Sequence, residues 1–165
     1  MTTLDEKDCL ILNTLQENCR ISLTDLSKKI NLSIDSVKKR IKKLEKNDLF
    51  FPQIQLRPRH FGFPYVVDVK VKLRDYDDKS LTKFIEYLKK NVRVVELFSI
   101  SGEWDLTLVL IAKDHEDLAQ VSNDIRNKFG SIINLWSESL TTLVYKFEKY
   151  DLLELLNPPS KKTKK

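Results

Sequence analysis

The sequence predicts an α+β protein in two parts: an all-helical head over residues 1–51 and a four-stranded βαββαβ unit over residues 65–150. Three observations carry that expectation. Apolar residues in the first fifty positions recur at helical spacing, whereas from Tyr65 onward alternating apolar runs take over. The proline-containing stretch "FPQIQLRPRHFGFP" separates the two textures. Charge divides at the same place: residues 22–46 carry eight Lys/Arg against three Asp/Glu, and residues 65–148 carry twelve against fourteen.

In the head, Asp5 can cap a first helix that buries Leu10, Ile11 and Leu15. Ser22 opens a second, with Asp25 three residues on as the Asp variant of a capping box. Leu23, Leu26 and Ile30 form its inner face. Ser33 caps a third helix, with Asp35 in the first turn, where the helix dipole favours an anion. At about 100° per residue, Ile34, Val37, Ile41 and Leu44 fall in one stripe. Asp35, Lys39, Lys42, Lys43 and Lys46 fall opposite, with Lys38 and Arg40 on the flanks. Only "NLS" joins helices two and three, which asks Asn31 to take a left-handed conformation. Helix, tight turn and a basic amphipathic helix make a helix-turn-helix, in a three-helix, winged-helix-like head.

Residues 52–64 are expected to form an extended linker with Arg57 and Arg59, not a helix. "YVVDVKVKL" then alternates as a strand, and "SLTKFIEYLKK" puts Leu81, Phe84, Ile85 and Leu88 at helical spacing. "VRVVELFSIS" and "WDLTLVLIA" are two strands joined across Gly102. "DLAQVSNDIRNKF" is helical, with Leu118, Val121 and Ile125 inward, and "INLWSESLTTLVYKF" closes as a long strand. This order is that of a ferredoxin-like domain. Leu106, Leu108 and Leu110 line one side of the third strand, Val109 and Ile111 the other. A strand apolar on both faces is covered on both, and a second copy is the natural cover. Residues 151–165 are expected to form a short helix and a disordered basic tail, acting as a solubilising end or as extra phosphate contact.

Composition narrows the class. The 165 residues carry a net charge of +5, with 41% hydrophobic and 32% charged residues. No apolar run approaches the ~20 residues of a membrane span, and "MTTLDEKD" lacks a signal region, so a cytoplasmic protein without membrane attachment is expected. Cys9 and Cys19 are expected as free thiols. Neither a glycine-rich phosphate loop, nor a nucleophile–His pair, nor metal-ligand spacing occurs, so neither catalytic residues nor a metal or cofactor are assigned.

"LDEKDCLILNTLQENCRISLTDLSKKINLSIDSVKKRIKKLEKNDLF" resembles the start of the Lrp/AsnC (leucine-responsive, feast/famine) regulators. Leu4, Asp5, Asp8, Ile11, Leu12, Leu15, Arg20, Leu26, Leu32, Ser33, Val37, Arg40 and Leu44 hold the places of that family's pattern. "SGEWDLTL" is similar to the GxxD turn of its effector domain, through Gly102 and Asp105. Asn31 and Asn47 stand where the family usually carries glycine, at turn positions that Asn can fill. The resemblance implies a homodimeric, commonly octameric, regulator of palindromic promoter DNA whose amino-acid effector binds where dimers meet. Ser33, Asp35, Ser36, Lys39 and Lys42 would then face the major groove or its rim, and Lys38, Arg40, Lys43 and Lys46 the phosphates. Arg40 has an intramolecular salt bridge as its alternative, and Asp35 either stabilises the helix start or accepts from a cytosine amino group. The effector would meet Gly102 and Asp105, with Ser101, Trp104 and Ser139 as further lining; alternatively, Gly102 and Asp105 only build the turn. Sirohaem decarboxylases, which resemble the same architecture, are the enzymatic alternative. Their chemistry needs His and Arg around a macrocycle, and this chain has only His60 in the linker and His115 at a helix start.

Overall fold

The computed structural model describes residues 3–156 and divides into two compact units, each taken by itself below. The first comprises the residues up to Ile54 together with those from Tyr145 onward; the second is Gln55–Val144. The expected basic tail, residues 157–165, lies outside the described residues.

In the first unit, α1 (Glu6–Glu17), α2 (Leu23–Ile30) and α3 (Ile34–Lys46) surround a core of Ile11, Leu12, Leu26, Ile30, Val37 and Leu44. Each helix starts at the expected cap. Asp5 accepts from the Asp8 amide in a complete capping box, Ser22 from the Asp25 amide, and Ser33 from the Ser36 amide. At Ser22 the reciprocal bond runs from its hydroxyl to the Asp25 carboxylate (2.6 Å). Asn31 closes α2 with φ 52° and ψ 59°, the left-handed geometry that the short turn requires. At the end of α3, Asn47 fills the expected turn position at φ −96°, and Asp48 takes the positive φ of 53°. The Asn47 amide is engaged in capping the Lys43 carbonyl (2.7 Å). Burial on α1 centres on Cys9, Ile11 and Leu12, with Leu10 and Leu15 half-buried. Ile34, expected in the buried stripe, is 43% exposed because it opens α3, one turn short of the core.

The linker contains one turn of 3₁₀ helix, Pro58–Phe61, against the expectation of a fully extended connector. Pro58 presets its first φ, and Gly62 at φ 94° ends it. The sheet follows: β1 (Tyr65–Leu73), α4 (Asp78–Lys90), β2 (Val94–Ser99), β3 (Leu106–Ala112), α5 (His115–Phe129) and β4 (Ile133–Leu140). Strand order is β2-β3-β1-β4, antiparallel throughout, as expected for the ferredoxin-like topology. Val67, Val69, Val71, Leu106, Leu108 and Leu110 pack on one face with Phe84 and Leu88 of α4 and Ile125 of α5. Ladder alternation puts Asp68, Lys70, Lys72, Val109, Ile111, Phe98 and Leu135 on the other face.

β4 stops at Leu140, seven residues short of the expected strand. Its partner explains the stop. The Thr141 amide still donates to the Val66 carbonyl (2.9 Å), but β1 begins at Tyr65, just after Pro64. Arg59 caps this end by donating to the carbonyls of Thr141 and Thr142. From Tyr145 the chain belongs to the helical unit, where α6 (Leu152–Leu156) sets Leu152 against the core. The sheet unit spans Gln55–Val144.

Candidate functional site

On α3, Ser33, Asp35, Lys38, Lys39, Lys42, Lys43 and Lys46 are exposed, while Val37 and Leu44 are fully buried behind them. The five lysines, with Asp35 and Glu45 the only acids on the helix, make one positively charged outer surface. Ser36 is half-buried, and its hydroxyl accepts from the Ser33 hydroxyl (2.8 Å), so the two serines fasten the start of the helix.

Arg40 behaves differently from its neighbours. Its Nη1 donates to Asp5 (2.9 Å) and to Asp8 Oδ1 (2.6 Å), so the guanidinium faces α1. The Asp8 side chain is only 4% exposed, that of Arg40 30%. Two carboxylates that cap α1 thus also anchor α3. Burial favours the neutral form of Asp5, but the Asp8 amide and then Arg40 outweigh it and hold the carboxyl below its usual range. Burial likewise works against the Arg40 charge, and the bonds to Asp8 and Asp5 outweigh it, raising its pKa. Arg40 thus makes the intramolecular salt bridge that was its alternative to a phosphate contact. Sequence reasoning missed Lys7, whose Nζ donates to the Ile30 carbonyl (2.6 Å) at the end of α2. The two lie 23 residues apart, and no local pattern marks the pair.

Residues 100–105 join β2 to β3 in the sheet unit. The Ile100 amide donates to the Asp105 carbonyl, and the Asp105 amide to the Val71 carbonyl, both at 3.0 Å. Gly102 has φ 133°, a conformation that L-residues rarely adopt. Ser101 and Gly102 are exposed, and Trp104 and Asp105 half-buried. The Asp105 carboxylate accepts from the Leu73 amide (2.8 Å) and from Lys72 Nζ (3.3 Å). Its Oδ2 stands in for the next ladder carbonyl, so Asp105 builds the turn. Lys72, which sequence reasoning also missed, neutralises part of its charge. The signal was available: Lys72 sits on the alternate face of a strand whose core face is apolar. Ser139 pairs with Asp68, four residues from Lys72, so it lies about 13 Å along the strand from the turn in one chain.

His60 lies in the 3₁₀ turn and His115 begins α5; they occupy separate elements. Cys9 is buried and Cys19 exposed, both as free thiols. Among the described residues, no helix is long and apolar enough to cross a membrane.

A family model for the AsnC-type helix-turn-helix domain matches residues 4–45, and one for the Lrp/AsnC ligand binding domain matches residues 66–132. The HTH-type transcriptional regulator LrpA of Pyrococcus horikoshii is 34% identical over 130 residues, covering 78% of this chain and 88% of that protein. The proline dehydrogenase transcriptional activator of Rhizobium radiobacter is 29% identical over 132 residues, covering 79% of this chain and 85% of its own. A transcriptional regulator–L-Met complex from Neisseria meningitidis has a TM-score of 0.84 at 24% identity, covering 93% of this chain and 99% of that one. At that identity the likeness is one of fold.

Proposed function

The chain belongs to the Lrp/AsnC family of DNA-binding transcriptional regulators, and on that premise we propose that α3 reads promoter DNA under control of a small molecule bound near the β2–β3 turn. The observation that carries the DNA reading is the contrast within α3. Its one inward cation, Arg40, is spent on Asp5 and Asp8, and its five lysines remain outward. Ser33, Asp35, Ser36, Lys39 and Lys42 are assigned to the groove and its rim, and Lys38, Lys43 and Lys46 to phosphates.

The effector is an amino acid or a related small molecule. The family match over residues 66–132 is to a ligand-binding domain, and the Neisseria meningitidis regulator was solved with L-Met. Gly102 and the exposed amides around it can receive a carboxylate, and Asp105 an ammonium group that competes with Lys72. Ser101 and Trp104 line the same turn. Ser139 can join only from elsewhere, so the complete site includes a second copy. Exposed Phe98 (51%) and Leu135 (54%) beside half-buried Val109 give the sheet a face that a second copy covers, and a dimer or larger assembly follows. A dimer reads a palindromic site with half-sites about one helical turn, or a multiple, apart. The protein acts in the cytoplasm as a regulator and not as an enzyme.

The test is selection of bound duplexes from a random pool, repeated with a mixture of amino acids. Enrichment of a palindrome, shifted in yield or spacing by the mixture, is the expected result. A pool that stays random contradicts the reading.

A further inference from the structure

We propose that the helical head is held by two tethers, and that Asn13, Gln16 and Arg59 thereby set which half-site spacing the protein accepts. The chain passes between the two units twice, once at Ile54–Gln55 and once at Val144–Tyr145. The first passage is anchored before and after. Phe50 packs against the helical core, and residues 51–56 follow, exposed and outside any helix or strand. Beyond the 3₁₀ turn the chain settles on the sheet unit through Phe63. The Arg93 guanidinium lies 4.7 Å over its ring, and Arg93 Nη2 donates to Asp117. The second passage leaves the sheet unit from the same place. Arg59 donates from Nη1 to the Thr142 carbonyl (2.8 Å) and from Nη2 to that of Thr141, so both passages share one clasp there. Residues 143–149 are then exposed until α1 receives the chain. Gln16 Oε1 accepts from the Tyr150 amide (3.0 Å), and its Nε2 donates to the Tyr150 carbonyl (3.1 Å). Asn13, one turn earlier, accepts from the Leu152 amide (2.9 Å) and donates to Asp151 Oδ1 (3.0 Å). Leu152 completes the attachment by packing against the helical core.

Residues 51–56 span at most about 21 Å when extended, and residues 143–149 at most about 25 Å. A head on one such tether turns freely about it. A head held at two separate points, behind α3 and on α1, cannot turn without stretching one of them. That difference bears on how a dimer reads DNA. Two linked heads gain about 10²–10⁴-fold over one head, but only while both half-sites lie within their geometry. Moving one half-site by two base pairs shifts it by about 7 Å and turns it by about 70° around the duplex. A single tether absorbs both changes, whereas two tethers absorb the shift and resist the turn. Asn13, Gln16 and Arg59 are therefore positioning residues, acting on DNA only through the heads. The inference rests on the reading that α3 binds DNA as part of a dimer.

The test measures binding of the full chain to a selected operator, to versions with one half-site moved by one to five base pairs, and to a duplex with a single half-site. The unmodified protein should lose about a hundredfold in affinity on a two-base-pair move. N13A/Q16A/L152A, which releases the second tether from the head, should lose less than about tenfold on the same move. R59A, which loosens both tethers on the sheet unit and leaves the head untouched, should relax the spacing in the same direction. Affinity for the single half-site should stay parental in both variants. Spacing curves as steep as the parent's in both variants overturn the proposal. So does a loss of single half-site affinity that accounts for the whole effect, because the clamp would then only support the fold of the head. An unmodified protein that accepts every spacing equally also overturns it, while the DNA reading of α3 stands. If the unmodified protein binds neither the operator nor the single half-site, the DNA reading itself fails and this inference with it.

Discussion

Replacing Arg40 with Met leaves the Asp8 carboxylate, 4% exposed, without its cation, and removes the brace between the cap of α1 and the middle of α3. Stripping one partner from a fully buried ion pair costs about 3–5 kcal/mol. Here the Arg40 side chain is 30% exposed, so water relieves part of that, and a loss of about 2–3 kcal/mol is expected. For a unit of this size the corresponding fall in melting temperature is on the order of 10–20 °C. Urea unfolding followed by far-UV circular dichroism measures it. R40M/D8N, which also removes the stranded charge, should recover a large part of the loss and give a positive coupling energy. Acid has the same target. The folded-state pKa of Asp5 is depressed, with burial opposing and the Asp8 amide and Arg40 prevailing. The stability it contributes is therefore complete above about pH 4 and lost as pH falls through the depressed value. R40M should flatten that dependence. An R40M protein as stable as its parent, with a salt slope for DNA smaller by about one unit, would refute the brace and make Arg40 a phosphate contact after all.

Two further outcomes follow from the sheet unit. Asp105→Asn keeps an acceptor for the Leu73 amide but removes the charge an ammonium group would seek; it should fold normally, bind DNA, and lose any amino-acid-induced shift in melting temperature. A D105N protein that still responds would leave Asp105 with the turn alone. The unmodified chain should sediment as a dimer or larger at micromolar concentration, and F98D/L135D as a smaller species; an unmodified monomer would remove the second copy from the account.

What could be read in the sequence was mostly local. Ser22 and Ser33 cap the helices they were expected to cap, and Asn31 is left-handed, because each depends on bonds within three residues. Alternation in β1 and β3 likewise determined which side chains form the core. Legibility failed where a partner distant in sequence decides. The sequence left Arg40 between a phosphate and an internal acid, and its bonds to Asp5 and Asp8, 35 and 32 residues away, could not be located from local pattern. "SLTTLVYKF" has the composition of a strand, yet β4 ends at Leu140, close to where its partner β1 begins at Tyr65. Asn13 and Gln16, polar residues on an otherwise unremarked face of α1, hold a segment more than 130 residues away. Asp105 lay between these cases. Its place at a turn was clear from its neighbours, whereas its bond to Leu73, 32 residues earlier, needed the ladder.

The central claim is that the outward lysines of α3 hold duplex DNA while its inward residues hold the fold. Lys39 and Lys42 are both exposed, and neither enters the core formed by Val37 and Leu44. Anisotropy titration of K39A/K42A on a selected operator, across a series of salt concentrations, tests this directly. If both side chains reach the duplex, affinity falls strongly. Each lost phosphate contact lowers the log–log slope by roughly one unit, and circular dichroism and melting temperature stay at parental values. Parental affinity and slope in a folded K39A/K42A protein would contradict the claim and move the DNA contact off this helix.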